Sequence, residues 1–508
     1  MSSRVPINFI VSFLVALLLA NFAVAQSSKP RSKPASPLAQ AKAELAKHEL
    51  KSAEDSIWKV LSSDPNNPEA LLLLGMVRGE QQRFSEAETL FQRVVELDPK
   101  SASGHLYLGK TYLTENKIPE ATEQYKQAEE LVPENLEVRV TLARLYAAGG
   151  EFADAISTLN GIPPAHFPVE AIPVKVGCLL ALGRQQEAIK LAQEVKAPAL
   201  DLALAEVFVT SKLPTEALKL LTAAAASGKR PPPRFYFIKA KALDAAGDSS
   251  GALENFQKAL ALEPDSEEFL LTTAELYARQ EKHAQAFEML QRAYKLDHDS
   301  LKVLRPLILE ASFAGKSVDV QDQAQQLADE SDDPRDLFIA ANVFLTNTRQ
   351  DEAVPLLEKY LQKVPNDPRA WVGLGIGYED LKRFDDAQKA FENALKADPK
   401  FADAEYQIGV LLSLNGNSAS ATQHFEHAVE INPNHAPSLE RLGNFYLETG
   451  QFDKARDVLL KSETLDPKNR KVEYGLALAY SKLGNRDEAK VHMERFEKAG
   501  PIGATEKK

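Results

Sequence analysis

A proline recurs at an interval of 34 residues in two parts of this 508-residue chain. Pro65, Pro99 and Pro133 mark the interval early, and Pro365, Pro399, Pro433 and Pro467 mark it again later. Pro264 has His298 where its successor would stand. A fixed period of this length argues against one globule with one core. Each copy is too small to bury its apolar face alone and must bury it against a neighbour of the same kind.

The best-formed copy is Pro368–Pro399, PRAWVGLGIGYEDLKRFDDAQKAFENALKADP. Asp367 before Pro368 is a helix start: a capping carboxylate, then a first-turn residue with preset φ and no N–H to lose. Trp371, Leu374, Tyr378 and Leu381 follow at helical spacing. The pattern breaks at Lys382–Phe384. Asp385 is placed to cap a second helix carrying Ala387, Phe391, Ala394 and Leu395, closed by Asp398 and Pro399. Each period is thus one helix–turn–helix hairpin, and about fourteen can be laid along the chain.

A small residue recurs in each helix. In the first it is Gly75, Gly109, Gly375, Gly409 or Gly443, with Ala at 143, 240, 274, 341 and 477. In the second it is Ala, from Ala53 and Ala87 to Ala455 and Ala489. Small side chains let paired helices approach closely. Aromatic residues (Phe91, Tyr125, Phe256, Phe391, Phe425) fill a neighbouring slot and read as core. The spacing W-x2-L-G-x2-Y, then A-x3-F, then P, resembles the tetratricopeptide repeat at every slot. That resemblance implies an all-α fold, a right-handed superhelical α-solenoid with first helices on the concave side and second helices outside.

Regularity divides the array into three blocks. Residues 38–162 hold four hairpins, residues 163–333 about five degenerate ones, and residues 334–499 five near the consensus. Pro163, Pro164, Pro168 and Pro173 open the middle block, Pro231–Pro233 splits it, and Ser317–Asp333 fits the template poorly. Two readings stand: bends in one superhelix, or two separate arrays joined by weak repeats.

The ends are not part of the array. Residues 1–25 carry one charge, Arg4, an apolar run Ile7–Ala20, and Ala23-Val24-Ala25 before Gln26. They read as a secretory signal peptide, which places an exported bacterial protein in the periplasm or outside the cell. An uncleaved N-terminal membrane anchor is the alternative; after cleavage no stable membrane insertion is expected. Gln26–Pro37 reads as a flexible tether and residues 500–508 as a tail. Losing Arg4 takes the net charge from −12 to −13, which argues against nucleic acid and anionic membranes as partners. Cys178, the single cysteine, lies in an apolar run and reads as a small buried hydrophobe.

No catalytic module fits between the repeats, so the chain reads as non-enzymatic. Gly373, Gly375 and Gly377 sit inside a helix and make no phosphate loop. His424 and His427 share a helix face, with His435 beyond; they read as part of a solvated outer helix, with neither metal nor cofactor expected.

What remains is surface. In the family it resembles, first-helix residues flanking the Gly slot line a groove. Here those are Val372 and Ile376, Tyr406 and Val410, Glu440 and Asn444, Tyr474 and Leu478. Earlier counterparts are Leu72 and Met76, Leu106 and Lys110, Val140 and Arg144. An apolar stripe with polar anchors suits an extended peptide or a helix of a partner protein. A carboxylate clamp is not expected: Asn444 follows Gly443 as the clamp needs, but Gly475 and Glu440 stand where an amide and a cation are wanted. The last helix presents Val491, Met493 and Phe496, which are tolerated or covered by a partner or a second copy. The chain thus reads as a protein-binding scaffold of the cell envelope; the alternative is an accessory subunit of a polysaccharide or protein export complex.

Overall fold

The structure is a computed structural model that describes residues 36–195, 197–226 and 230–498. The expected signal peptide, nearly all of the expected tether, and the tail lie outside the described residues. Ser36 and Pro37, expected as tether, instead open the first helix, with Ser36 Oγ accepting from the Ala39 N–H at 3.2 Å.

The described residues form 28 α-helices and no strand. The helices pair into fourteen hairpins in two compact units, the first ending at Leu262 and the second beginning at Glu263. In the first unit the hairpins run from 37–61 and 68–97 to 233–262. In the second they run 267–296, 301–330, 334–363, 368–397, 402–431, 436–465 and 470–498. Within a unit, first helices touch the next first helix, as 368–380 touches 402–414 and 436–448 touches 470–482. Second helices also pack on the first helix that follows, as 384–397 on 402–414 and 452–465 on 470–482.

The small residues have a geometric cause. A methyl group built on Gly375 would stand 2.3 Å from the Phe391 ring, and one on Gly75 2.5 Å from Phe91. The glycine is the space the ring fills. Ala387 is fully buried between the paired helices.

The turns show what the spacing did not. One residue in each of the fourteen turns is left-handed, seven of them glycine and seven not. Gly150 sits at φ 83° and Lys382 at φ 62°. This backbone is close to free for glycine and strained for lysine. The second helix of the best-formed hairpin starts at Phe384, with Arg383 as a cap that makes no side-chain bond. Asp385 therefore lies in the first turn, where its charge meets the helix dipole.

In three places a tyrosine bolts a hairpin to the one before it. Tyr378 Oη donates to Glu358 at 2.5 Å and Tyr446 Oη to Glu426 at 2.9 Å, while Gln92 Nε2 donates to Tyr112 Oη at 3.1 Å.

In the middle block the prolines form two short 3-10 turns, Pro164–His166 and Val169–Ala171. One apolar cluster nevertheless continues across them, from Ala143 through Ile162, Ala171 and Phe208 to Phe235 and Ala242. Cys178 belongs to this cluster, and burial pushes its thiol up to about 11. It is a packing residue and a poor nucleophile at neutral pH. Regularity of sequence and compactness draw different lines: the division at Leu262 falls inside residues 163–333.

Candidate protein-binding site

The second unit carries a cavity of about 310 Å³. It lies between the first helices 402–414, 436–448 and 470–482 and the second helix 418–431. Phe425 and Phe445 contribute apolar wall, and Tyr474 and Leu478 stand opposite. Arg441 and Asn444 line it from successive turns of one helix.

Of the groove residues expected from sequence, Asn444, Tyr474 and Leu478 line this cavity. Tyr474 is half exposed, its ring 5.2 Å from Phe496. Tyr406 and Val410 stand behind the wall, half-buried against the same apolar cluster, with the Tyr406 ring 5.8 Å from Phe425. Val372 and Ile376 are elsewhere. Val372 is a core residue at 8% exposure, and Ile376 packs half-buried on the same core. Val372 is thus corrected from groove to core. Glu440 accepts from the Asn469 amide at 2.9 Å and so holds the cap of the next hairpin.

Arg441 and Phe445 were not expected. They lie one position beyond Glu440 and Asn444 and line the same cavity. Counting only the two positions beside the glycine leaves them out. Arg441 is exposed and makes no ion pair, and the Asn444 amide makes no hydrogen bond, among the described residues. Both retain donors for a ligand.

In the first unit, Leu72, Met76, Leu106, Val140 and Arg144 are half-buried, and Lys110 is paired to Glu137 at 2.6 Å. Burial holds the Arg144 guanidinium below its usual range, with Glu170 opposing the shift.

The histidines are more ordered than a solvated surface. His424 and His427 each donate from Nδ1 to the buried Glu405, at 2.6 and 2.8 Å, and so tie the two helices of their hairpin together. His435 accepts the Ser438 N–H at Nδ1, so Nε2 carries the proton and donates to Asp403 at 3.1 Å. That bond holds the Asp403 carboxyl below its usual range. The last helix is also less bare than expected. Phe496 is covered by Tyr474 and by the Arg470 guanidinium 4.0 Å from its ring, which leaves Val491 as the exposed apolar side chain of the three. A homodimer through this helix therefore has little apolar area to use.

No helix among the described residues is long and apolar enough to cross a membrane.

Family models described as "Tetratricopeptide repeat" match residues 38–102, 112–171, 239–300, 345–414, 402–435, 424–457 and 471–499. The chain is similar to "Anaphase-promoting complex subunit 3" of Schizosaccharomyces pombe, 24% identical over 168 residues, which are 33% of this chain and 25% of that protein. It is also similar to "Type IV pilus assembly protein PilF" of Pseudomonas aeruginosa, 26% identical over 128 residues, 25% of this chain and 51% of that one. The chain thus spans about half or less of the length of these relatives. Among solved structures, the APC/C hetero-tetramer Cut9-Hcn1 aligns over 99% of this chain and 98% of its own, at 14% identity and a TM-score of 0.34.

Proposed function

We propose a protein-binding role from one premise: the chain belongs to the tetratricopeptide-repeat proteins. It acts as a non-enzymatic scaffold that holds an extended peptide or a helix of a partner on the first-helix face of hairpins 402–431, 436–465 and 470–498. The observation that carries this is the cavity of about 310 Å³, where the unengaged Arg441 guanidinium and Asn444 amide stand beside the exposed Tyr474 ring. An aromatic anchor beside free donors is the composition of an interface hot spot. Main-chain carbonyls or a carboxylate of the partner meet the two donors, and an apolar side chain meets Phe445, Tyr474 and Leu478. The names of the two relatives, a complex subunit and a pilus assembly protein, support a role inside a larger assembly.

Residues 1–25 support an exported setting by their single charge, apolar run and small-residue end. Fractionating cells that carry a C-terminally tagged chain tests it; recovery with cytosolic markers alone would overturn it.

The site is tested by Asn444→Ala with Tyr474→Ala in the full chain. Partners crosslinked in the native cell should fall at least tenfold, the scale of losing one hot spot of about 2 kcal/mol, while helicity by circular dichroism is unchanged. Partners retained in full by a folded double variant would move the binding surface elsewhere.

A further inference from the structure

Three titratable side chains at the C-terminal end of the array have no part in the cavity. His492 on helix 486–498 is 4% exposed, and Glu473 on helix 470–482 is 6% exposed. His492 Nδ1 stands 2.7 Å from Glu473 Oε2 and 3.9 Å from Glu463 Oε1, the latter on helix 452–465. One ligand atom from each lies within 4.8 Å of the others.

Part of this is ordinary. Glu473–His492 joins the two helices of its hairpin at the same positions as Glu405–His424 and His105–Gln124. Such a pair needs no ligand. Glu463 is different. It comes from the preceding hairpin, and the equivalent residues beside the other two pairs are Leu395 and Val95. A second carboxylate is therefore particular to this end. The imidazole is also fixed in place: its ring stacks on Tyr480 with centroids 5.5 Å apart and planes 11° apart. Two carboxylates here share the Arg495 guanidinium, 2.6 Å from Glu463 and 3.7 Å from Glu473. Arg495 is half exposed, so the guanidinium that now neutralises the carboxylates borders solvent.

We propose that Glu463, Glu473 and His492 bind one divalent transition-metal ion, with Zn²⁺ as its representative. The three supply one imidazole nitrogen and two carboxylate oxygens, and water takes the fourth tetrahedral position. Bonds of about 2.0–2.2 Å to a tetrahedral ion place the ligand atoms roughly 3.3–3.6 Å apart, so the 2.7 Å His492–Glu473 contact opens and the 3.9 Å His492–Glu463 separation closes. The ion replaces the proton on His492 Nδ1 and displaces Arg495, so two negative charges meet two positive ones. Nitrogen in the ligand set favours zinc-like ions over magnesium or calcium, which take all-oxygen sites. Bound there, the ion ties helix 452–465 to both helices of the last described hairpin.

Calorimetric titration of the full chain with ZnCl₂ should show a saturable site at one ion per chain, with no saturable heat from MgCl₂. His492→Ala should abolish it. Glu463→Gln, which leaves the Glu473–His492 link intact and should keep full helicity, should weaken it at least tenfold. His424→Ala should leave it unchanged. Absence of saturable Zn²⁺ binding overturns the proposal. So does binding that Glu463→Gln leaves at full strength, a result readable even if His492→Ala unfolds the end of the array.

Discussion

Hairpins 368–397 and 301–330 solve one packing problem in opposite ways. In the first, the first helix carries Gly375 and the second carries the Phe391 ring that occupies the gap. In the second, the equivalent positions are Ile308 and Ala324, both fully buried. Bulk has moved from the second helix to the first. Val320 also replaces the alanine between the helices. It lies on a 3-10 turn, Ser317–Val320, and the second helix is shortened to Gln321–Glu330. Charge ties the first helix of this pair to the hairpin that follows: Arg305 donates to the fully buried Asp336 at 2.6 and 2.7 Å and to Asp333 at 3.2 Å, both at the start of helix 334–346. The interhelical volume is conserved, while the residues that fill it are not.

The largest expected break is Ile308→Ala, which empties the bulky side of the inverted pair. It should cost about 2–5 kcal/mol in urea unfolding. Adding Ala324→Leu should recover part of that loss, and a strictly additive double variant would refute the exchange of bulk. Next is Gly375→Ala, which pushes a methyl group into Phe391. It should cost about 1–3 kcal/mol, and Phe391→Leu should relieve it. A smaller effect concerns acid. Asp333 is held down at about 2, first by the Arg335 side chain, then by its backbone N–H, with Arg305 contributing. The folded value lies below the ordinary one of about 3.9, so the unfolded chain binds the proton more tightly. The contribution is then complete above about pH 4 and is lost as pH falls toward 2. Nuclear magnetic resonance titration should place Asp333 near 2 and move it upward in Arg335→Gln; an unmoved value would assign the shift to another group. The smallest effect is a gain: Lys382→Gly relieves a left-handed lysine and should stabilise its hairpin by about 0.5–1 kcal/mol, whereas Gly150→Ala should destabilise by a similar amount. Midpoints of thermal unfolding would rank the two.

The same comparison separates what could be read from residues from what could not. Hairpin 368–397 was legible because its signals are local: Asp367-Pro368 starts it, and glycine, alanine and phenylalanine recur at fixed offsets. Hairpin 301–330 was not, because exchanging Gly and Phe for Ile and Ala keeps the volume and erases the letters. At the candidate site, Asn444, Tyr474 and Leu478 followed from position alone. Val372 misled because the same helical position is half exposed at Tyr406 and covered by core in its own hairpin. Arg441 was missed because it lies on the next strip of the helix. Glu473 with His492, and Glu405 with His424, occupy positions where the best-formed hairpin has Trp371 and the buried Ala390. Each pair spans two helices, so neither partner signals the other along the chain.

The tyrosine bolts also give the array a direction in time. Tyr112, Tyr378 and Tyr446 each reach back to the second helix of the hairpin before. A hairpin carrying one of these three tyrosines therefore finds its partner already synthesised as it emerges, whereas Tyr294 Oη donates forward to Gln326 of the following hairpin at 2.9 Å. Growth of the array from the N-terminal side is the order in which domains generally fold during synthesis. It keeps the exposed apolar face down to one hairpin at a time, even in a chain of fourteen.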